Sequence, residues 1–134
     1  ASVESSTDLS RNRLQDLTAD CLRTVGHEFF VATSVPGCSK VGWLWLSPPP
    51  DFLGPGHEYT RWLSQLTVDR QHRGCGWGKA ILVAAEQYLS SLGTKQLWLR
   101  VFDWNTAARR LYASLGYELA CQFETDAHLR KMLA

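Results

Sequence analysis

The spacing of apolar positions changes several times along the chain, and each change predicts an element. Residues 1–9 (ASVESSTDL) are small and polar, without a period, and read as a disordered lead-in. From Ser10 the spacing turns helical. Leu14, Leu17, Cys21 and Val25 recur three or four residues apart, with Ser10 or Asp8 as the cap and Gly26 as the stop. Residues 27–34 (HEFFVATS) then read as a strand, Pro36-Gly37 as a turn and residues 40–46 (KVGWLWL) as the return strand. The stretch 47–56 (SPPPDFLGPG) is a stiff surface loop and not a domain linker, because too little chain precedes it to fold alone. In residues 59–68 (YTRWLSQLTV), Leu63, Gln65 and Thr67 alternate with Trp62, Ser64, Leu66 and Val68, which predicts a strand with one more apolar face. A polar, glycine-rich turn at 69–78 leads into the clearest helix, 79–92, where Ile81, Leu82, Ala85, Tyr88, Leu89 and Leu92 share one side and Gly93 ends it. A strand over 95–102, a helix over 105–115 stopped by Gly116, and a strand pair at 117–123 and 127–133 complete the order. Helix, three strands, helix, strand, helix and two strands suggest a mixed sheet with helices on both faces.

Composition narrows the classes. At 134 residues, one domain over 10–134 is the expectation. Apolar residues make up 45% of the chain, enough for a core. Fourteen Lys and Arg against 13 Asp and Glu leave +1, which argues against a protein held to nucleic acid by phosphate contacts. No run approaches a membrane span, and no charged-then-apolar signal opens the chain. Cysteines at 21, 38, 75 and 121 form no C-x-x-C pair, so no metal site is expected, and reduced thiols in a cytoplasmic protein are. The lone His72 has no partners at ligand spacing.

The stretch 66–80 (LTVDRQHRGCGWGKA) carries the chemistry. A strand runs into a loop with glycines at 74, 76 and 78, and the loop opens a helix. Glycines let the backbone approach a ligand, and the unpaired first amides of a helix, with its dipole, favour an anion such as phosphate. A Walker A loop is excluded, since Arg73 stands where it needs glycine and Ala80 where it needs Ser or Thr. The spacing G-x-G-x-G also misses the dinucleotide fingerprint. A loop that merely turns the chain is the competing reading.

Gln71, Gly74 and Gly76, spaced Q-x-x-G-x-G, resemble the acetyl-CoA pyrophosphate signature of the GNAT N-acetyltransferases. Residues 105–117 (NTAARRLYASLGY) are similar to that family's N-x-x-A-x-x-L-Y-x-x-x-G-[FY] helix and turn. The resemblance covers about residues 27–133. It implies an α/β acyl-CoA N-acyltransferase fold with a mixed, mostly antiparallel central sheet, and a CoA-binding core over 60–118. It also implies acetyl-CoA as cosubstrate, with Gly74, Gly76, Trp77 and Gly78 holding the pyrophosphate and Arg73 or Lys79 at the 3′-phosphate. Leu66 and Val68 would meet the pantetheine arm between splayed strands, Asn105 would meet the arm or its neighbouring backbone, and Tyr112 would protonate the departing thiolate. Cys75 could invite a covalent route, but the family transfers directly.

The departures matter as much. Two positions where family members place a Glu base hold Ser64 and Trp62, and a third holds Arg100. Glu58, Asp103 and His57 remain candidates by proximity, and a water chain is an equal alternative. The acceptor cleft is expected over the strand at 59–66, under the proline loop, with Tyr59, Trp62, Ser64, Trp45 and Trp104 along it. The acceptor would be a small-molecule or peptide amine. The polar lead-in stands where the family's first strand belongs, so that strand is expected to be missing, dispensable or supplied by a partner in a homodimer, and the chain to be short or trimmed. Two other classes stay open: an acyl-CoA-binding module without turnover, and a nucleotide-phosphate protein.

Overall fold

The computed structural model describes residues 7–11, 26–34 and 39–133. Its strands are β1 (Thr7–Arg11), β2 (Glu28–Ser34), β3 (Lys40–Ser47), β4 (Thr60–Val68), β5 (Gln96–Phe102), β6 (Glu118–Gln122) and β7 (Asp126–Met132), and its helices are α1 (Trp77–Ser91) and α2 (Thr106–Ser114). The sheet runs β1-β2-β3-β4-β5-β7-β6. Among the described strands only β4 and β5 pair in parallel, joined through α1, and every other neighbour pair is antiparallel. The mixed, mostly antiparallel sheet is therefore present.

Two expectations change. Residues 7–11 are a strand, antiparallel to β2 in the register Leu9 to Ala32, so the lead-in holds the edge strand expected to be missing. Ser10 and Arg11 consequently lie in that strand and do not start a helix; the rest of the helix read over 10–25, and the Pro36-Gly37 turn, lie outside the described residues.

Alternation sorts each strand between two faces. Phe30 and Ala32 of β2, Leu44 and Leu46 of β3, Leu63 of β4 and Leu97, Leu99 and Val101 of β5 enter one core cluster with Ile81, Leu82, Ala85 and Leu89 of α1 and Tyr112 of α2. Both described helices lie on this side, and Tyr117, just past α2, donates a hydrogen bond to Glu86 of α1 at 2.7 Å. The opposite face carries the aromatic stripe: Trp45 stacks on Phe29 with centroids 5.0 Å apart, and Trp62 meets His128 edge-on at 5.2 Å.

Glu86 is buried, and Lys131 Nζ reaches its other carboxylate oxygen at 2.8 Å. Removing one partner of such a pair strands the other. Lys131→Met is expected to lower stability by about 2 kcal/mol, the modest end for a buried pair because water still reaches the ammonium. Denaturant unfolding measures it, and an unchanged midpoint would leave the pair without a structural role.

Candidate active site

The site begins with a break in the sheet. Parallel pairing between β4 and β5 runs from Thr60 with Gln96 to Leu63 with Leu99 and stops. Beyond it β4 continues to Val68 on β3 alone, and β5 continues to Phe102 on β7 alone. The two central strands thus fork, leaving facing backbone edges without ladder partners.

A β-bulge sits at the fork. On β3, Trp45 pairs with Gln65 and the next residue, Leu46, with Leu63, so Ser64 is the extra residue. Its hydroxyl is 2.7 Å from that of Ser47. The bulge resets the alternation. Leu63, Leu66 and Val68 all pack on the core, while Trp62 faces the other way. The simple alternation that grouped Trp62 with Leu66 and Val68 is corrected accordingly.

On the helix side of the fork, a cleft of about 630 Å³ is lined by Leu66, Val68, Arg73, Gly74, Gly76, Trp77, Gly78, Lys79, Asn105 and Tyr112, among others. Gly74 and Gly76 take φ of 79° and 86°, and a Cβ on either would meet nothing within 4 Å. Gly76 is the N-cap of α1 and provides no side chain, and Ala80 makes the first bond back to its carbonyl. The amides of Trp77, Gly78 and Lys79 are left without intrahelical acceptors, at the positive end of a 15-residue helix. The loop fits a diphosphate by this donor set. Arg73 does not point freely into it, since its Nε donates to the Val68 carbonyl at 3.0 Å. Asn105 caps α2, its side-chain oxygen accepting from the Ala108 amide at 3.2 Å. Gln71 is not brought in: it lies in the turn Arg70–His72, in a separate depression beside Asp69 and Arg70.

Tyr112, which lines this cleft, differs from Tyr117 behind it. Tyr117 is committed to Glu86, and burial with that carboxylate pushes its pKa far up. Tyr112 meets Tyr117 edge-on at 5.6 Å, and its hydroxyl has no hydrogen-bond partner among the described residues. Burial raises its pKa as well, so it holds its proton near neutrality.

On the aromatic face, a second cleft of about 980 Å³ is lined by Trp45, Pro50, Phe52, Trp62, Leu63, Ser64, Gln65, Arg100, Phe102, Phe123, Asp126 and His128. The structure brings Trp62, Ser64 and Trp45 together along this cleft, and Pro50 and Phe52 bring the proline loop over it. Tyr59 does not line it. That side chain is 64% exposed at the start of β4, where the backbone carbonyl holds the Lys95 amide at 2.7 Å. Trp104 stacks on Phe102 at 5.8 Å and stays outside. The proximity candidates for a base fall elsewhere. His57 is bound to Thr60 at 3.0 Å, Glu58 lies with it in a depression beneath the proline loop, and Gln122 holds both oxygens of Asp103.

The cleft also holds residues that sequence reasoning missed: Phe52, Phe123, Asp126 and His128. The one signal was the alternation of β7, which turns His128 away from Ala127 and Leu129 on the core side. Among the described residues no helix is long and apolar enough to cross a membrane, and no group of His, Cys, Asp or Glu has the makings of a metal site.

Comparison with known proteins gives one consistent picture. The family model of the acetyltransferase (GNAT) family matches residues 4–117. The uncharacterized N-acetyltransferase YycN of Bacillus subtilis (strain 168) is 31% identical over 93% of this chain and 74% of its own length. Two solved structures share the fold. The ribosomal-protein-S18-alanine N-acetyltransferase of Escherichia coli has a TM-score of 0.73 at 18% identity, over 96% of this chain and 95% of that one. PaiA N-acetyltransferase of Thermoplasma acidophilum, solved with coenzyme A, has a TM-score of 0.69 at 17% identity, over 90% and 69%.

Proposed function

The chain belongs to the GNAT acetyltransferase family, and from that premise we propose that it moves the acetyl group of acetyl-CoA to a primary amine by direct attack. The fork carries the reading. Consecutive residues of β4 line first the aromatic cleft, at Trp62 to Gln65, and then the glycine-loop cleft, at Leu66 to Val68, so the two clefts border adjoining residues of one strand at the fork. A donor held at the loop and an acceptor held among the aromatics would bring their reacting atoms together in that gap. The coenzyme A bound by the Thermoplasma neighbour supports acetyl-CoA as the donor, and the thioester it carries is what makes the acetyl group transferable.

Each residue then has a task. The amides of Trp77, Gly78 and Lys79 hold the pyrophosphate, and the open edge of β4 at Leu66 and Val68 takes the pantetheine amides as a further strand would. Tyr112 protonates the leaving thiolate: its hydroxyl is uncommitted, and burial keeps it protonated. The acceptor cleft contains one carboxylate, Asp126, and Arg100 stands 3.7 Å from it. Walls of Trp45, Phe52, Trp62 and Phe123 with so little free negative charge suit an amine on a flat apolar body better than a polycation.

The test is release of CoA across a panel of amines. Aromatic monoamines and peptides with apolar N-termini are expected to outrun polyamines. Tyr112→Phe is expected to lower kcat about a hundredfold with acetyl-CoA affinity unchanged, and full turnover in that variant would remove its acid role. Background turnover on every amine, with acetyl-CoA still raising the melting temperature, would favour a binding module.

A further inference from the structure

The transfer needs something to take a proton from the incoming ammonium, and none of the three candidates read from the sequence lies in the acceptor cleft. We propose that His128 is this general base, accepting the ammonium proton from its place in the aromatic wall of the cleft. The inference rests on the transferase reading.

Three observations carry it. First, His128 lines the acceptor cleft and is only 8% exposed, yet neither imidazole nitrogen has a hydrogen-bond partner among the described residues. A buried polar group without a partner is costly, and such groups in native proteins ask for an explanation. A ligand that brings its own N–H supplies one. Second, aromatic rings hold the imidazole in place. Phe52 stacks on it at 5.3 Å, Phe123 meets it at 4.7 Å, and Trp62 meets it edge-on at 5.2 Å. Third, His128 stands beside the fork. Its register partner on β5 is Arg100, the first residue past the last parallel pair, and Trp62 lies two residues before the Ser64 bulge.

The charges around it are few. Arg100 faces it from β5, Cys121 pairs with it from β6, and Asp126 precedes it on β7 at 3.7 Å from Arg100. Arg130, further along β7, lies over the Trp98 ring at 5.6 Å, and Asp51 belongs to the separate depression under the proline loop. Burial lowers the imidazole pKa below its ordinary value, and Asp126 and Arg100 act in opposite directions. The ring is therefore neutral near pH 7, with a lone pair to offer. In the step, the ammonium gives its proton to an imidazole nitrogen. The freed amine forms the new C–N bond with the acetyl carbon, the C–S bond breaks, and the thiolate takes the Tyr112 proton; the second proton of the new amide nitrogen passes through solvent to the Tyr112 phenolate, and the imidazolium of His128 returns its proton to water.

The experiment uses the full chain and compares wild type with His128→Gln and His128→Ala. Expected is a fall in kcat of about a hundredfold or more in both, unchanged acetyl-CoA affinity by calorimetry, and recovery of His128→Ala by added imidazole. In wild type the acid limb of kcat against pH should follow the His128 C2 proton titration seen by NMR, and His128→Gln should regain rate only where the amine itself loses its proton. Wild-type kcat in His128→Gln, or a pH profile that does not move, overturns the base. A second variant, His128→Phe, keeps the aromatic packing, and equal activity in it would assign His128 to packing. Absence of turnover in wild type on every amine would instead overturn the transferase reading, and the base with it.

Discussion

Gly76→Glu is expected to abolish acetyl-CoA binding while leaving the fold in place. Gly76 is the N-cap of α1 at φ 86°, a conformation that costs an L-residue about 1–2 kcal/mol. A Cβ there meets nothing within 4 Å, so the backbone is not crowded and the side chain would project into the open mouth of the cleft. A carboxylate in that place satisfies the helix dipole itself and repels the pyrophosphate. Calorimetric titration should show affinity reduced at least a hundredfold, which corresponds to about 2.8 kcal/mol. Gly76→Ala separates the contributions, because it carries the backbone cost in stability without the charge and should keep acetyl-CoA affinity within about tenfold of wild type. Wild-type affinity in Gly76→Glu would detach the glycine loop from the donor.

The loop was legible in the sequence because its chemistry is local. Gly74 and Gly76 between a strand and a helix, with Gly78 in the helix's first turn, shape a backbone turn from local residues, and Asn105 and Tyr112 are the cap and a member of one short helix whose start and stop are written in its ends. The acceptor cleft was legible only in part. Trp62, Ser64 and Trp45 follow from the course of β3 and β4, but Phe52, Phe123 and His128 reach the same space from three separate segments that only the sheet order brings together. The Ser64 bulge was hidden for a related reason: an extra residue leaves no mark on a period of two until the partner strand is known. The edge strand at 7–11 was missed because Leu9 is its one apolar residue and a single one makes no alternation, and its pairing with β2 is a property of the sheet. Arg100 illustrates the same limit. Read alone, it removed a carboxylate from the expected place, whereas the β5–β7 register sets an imidazole opposite it.

Gly42→Ala is expected to be the most damaging Gly→Ala change among the described glycines, although nothing in the motifs points to it. A Cβ on Gly42 would lie 2.2 Å from the Thr67 carbonyl oxygen and 3.1 Å from the Val68 Cα, both backbone atoms that no rotamer change can move aside. The strands β3 and β4 must therefore part at the register pair of Gly42 and Val68. That pair lies beyond the fork, where β4 has β3 on one side and no strand on the other, so the β3 ladder is the one strand pairing that holds this arm of β4. Overpacking of this kind costs about 3 kcal/mol, and for a chain of this size the melting temperature should fall by roughly 10 °C. The displacement also reaches Leu66 and Val68, the edge proposed to bind pantetheine. Acetyl-CoA affinity should fall together with stability, in contrast to Gly76→Glu, where affinity falls much further than the backbone cost of about 1–2 kcal/mol explains. Lys131→Met provides the calibration, since Lys131 lines neither cleft and its loss should lower stability while leaving affinity intact. If Gly42→Ala melted as wild type does, the close approach of β3 to β4 would be wrong, and the fork that depends on it would have to be placed elsewhere.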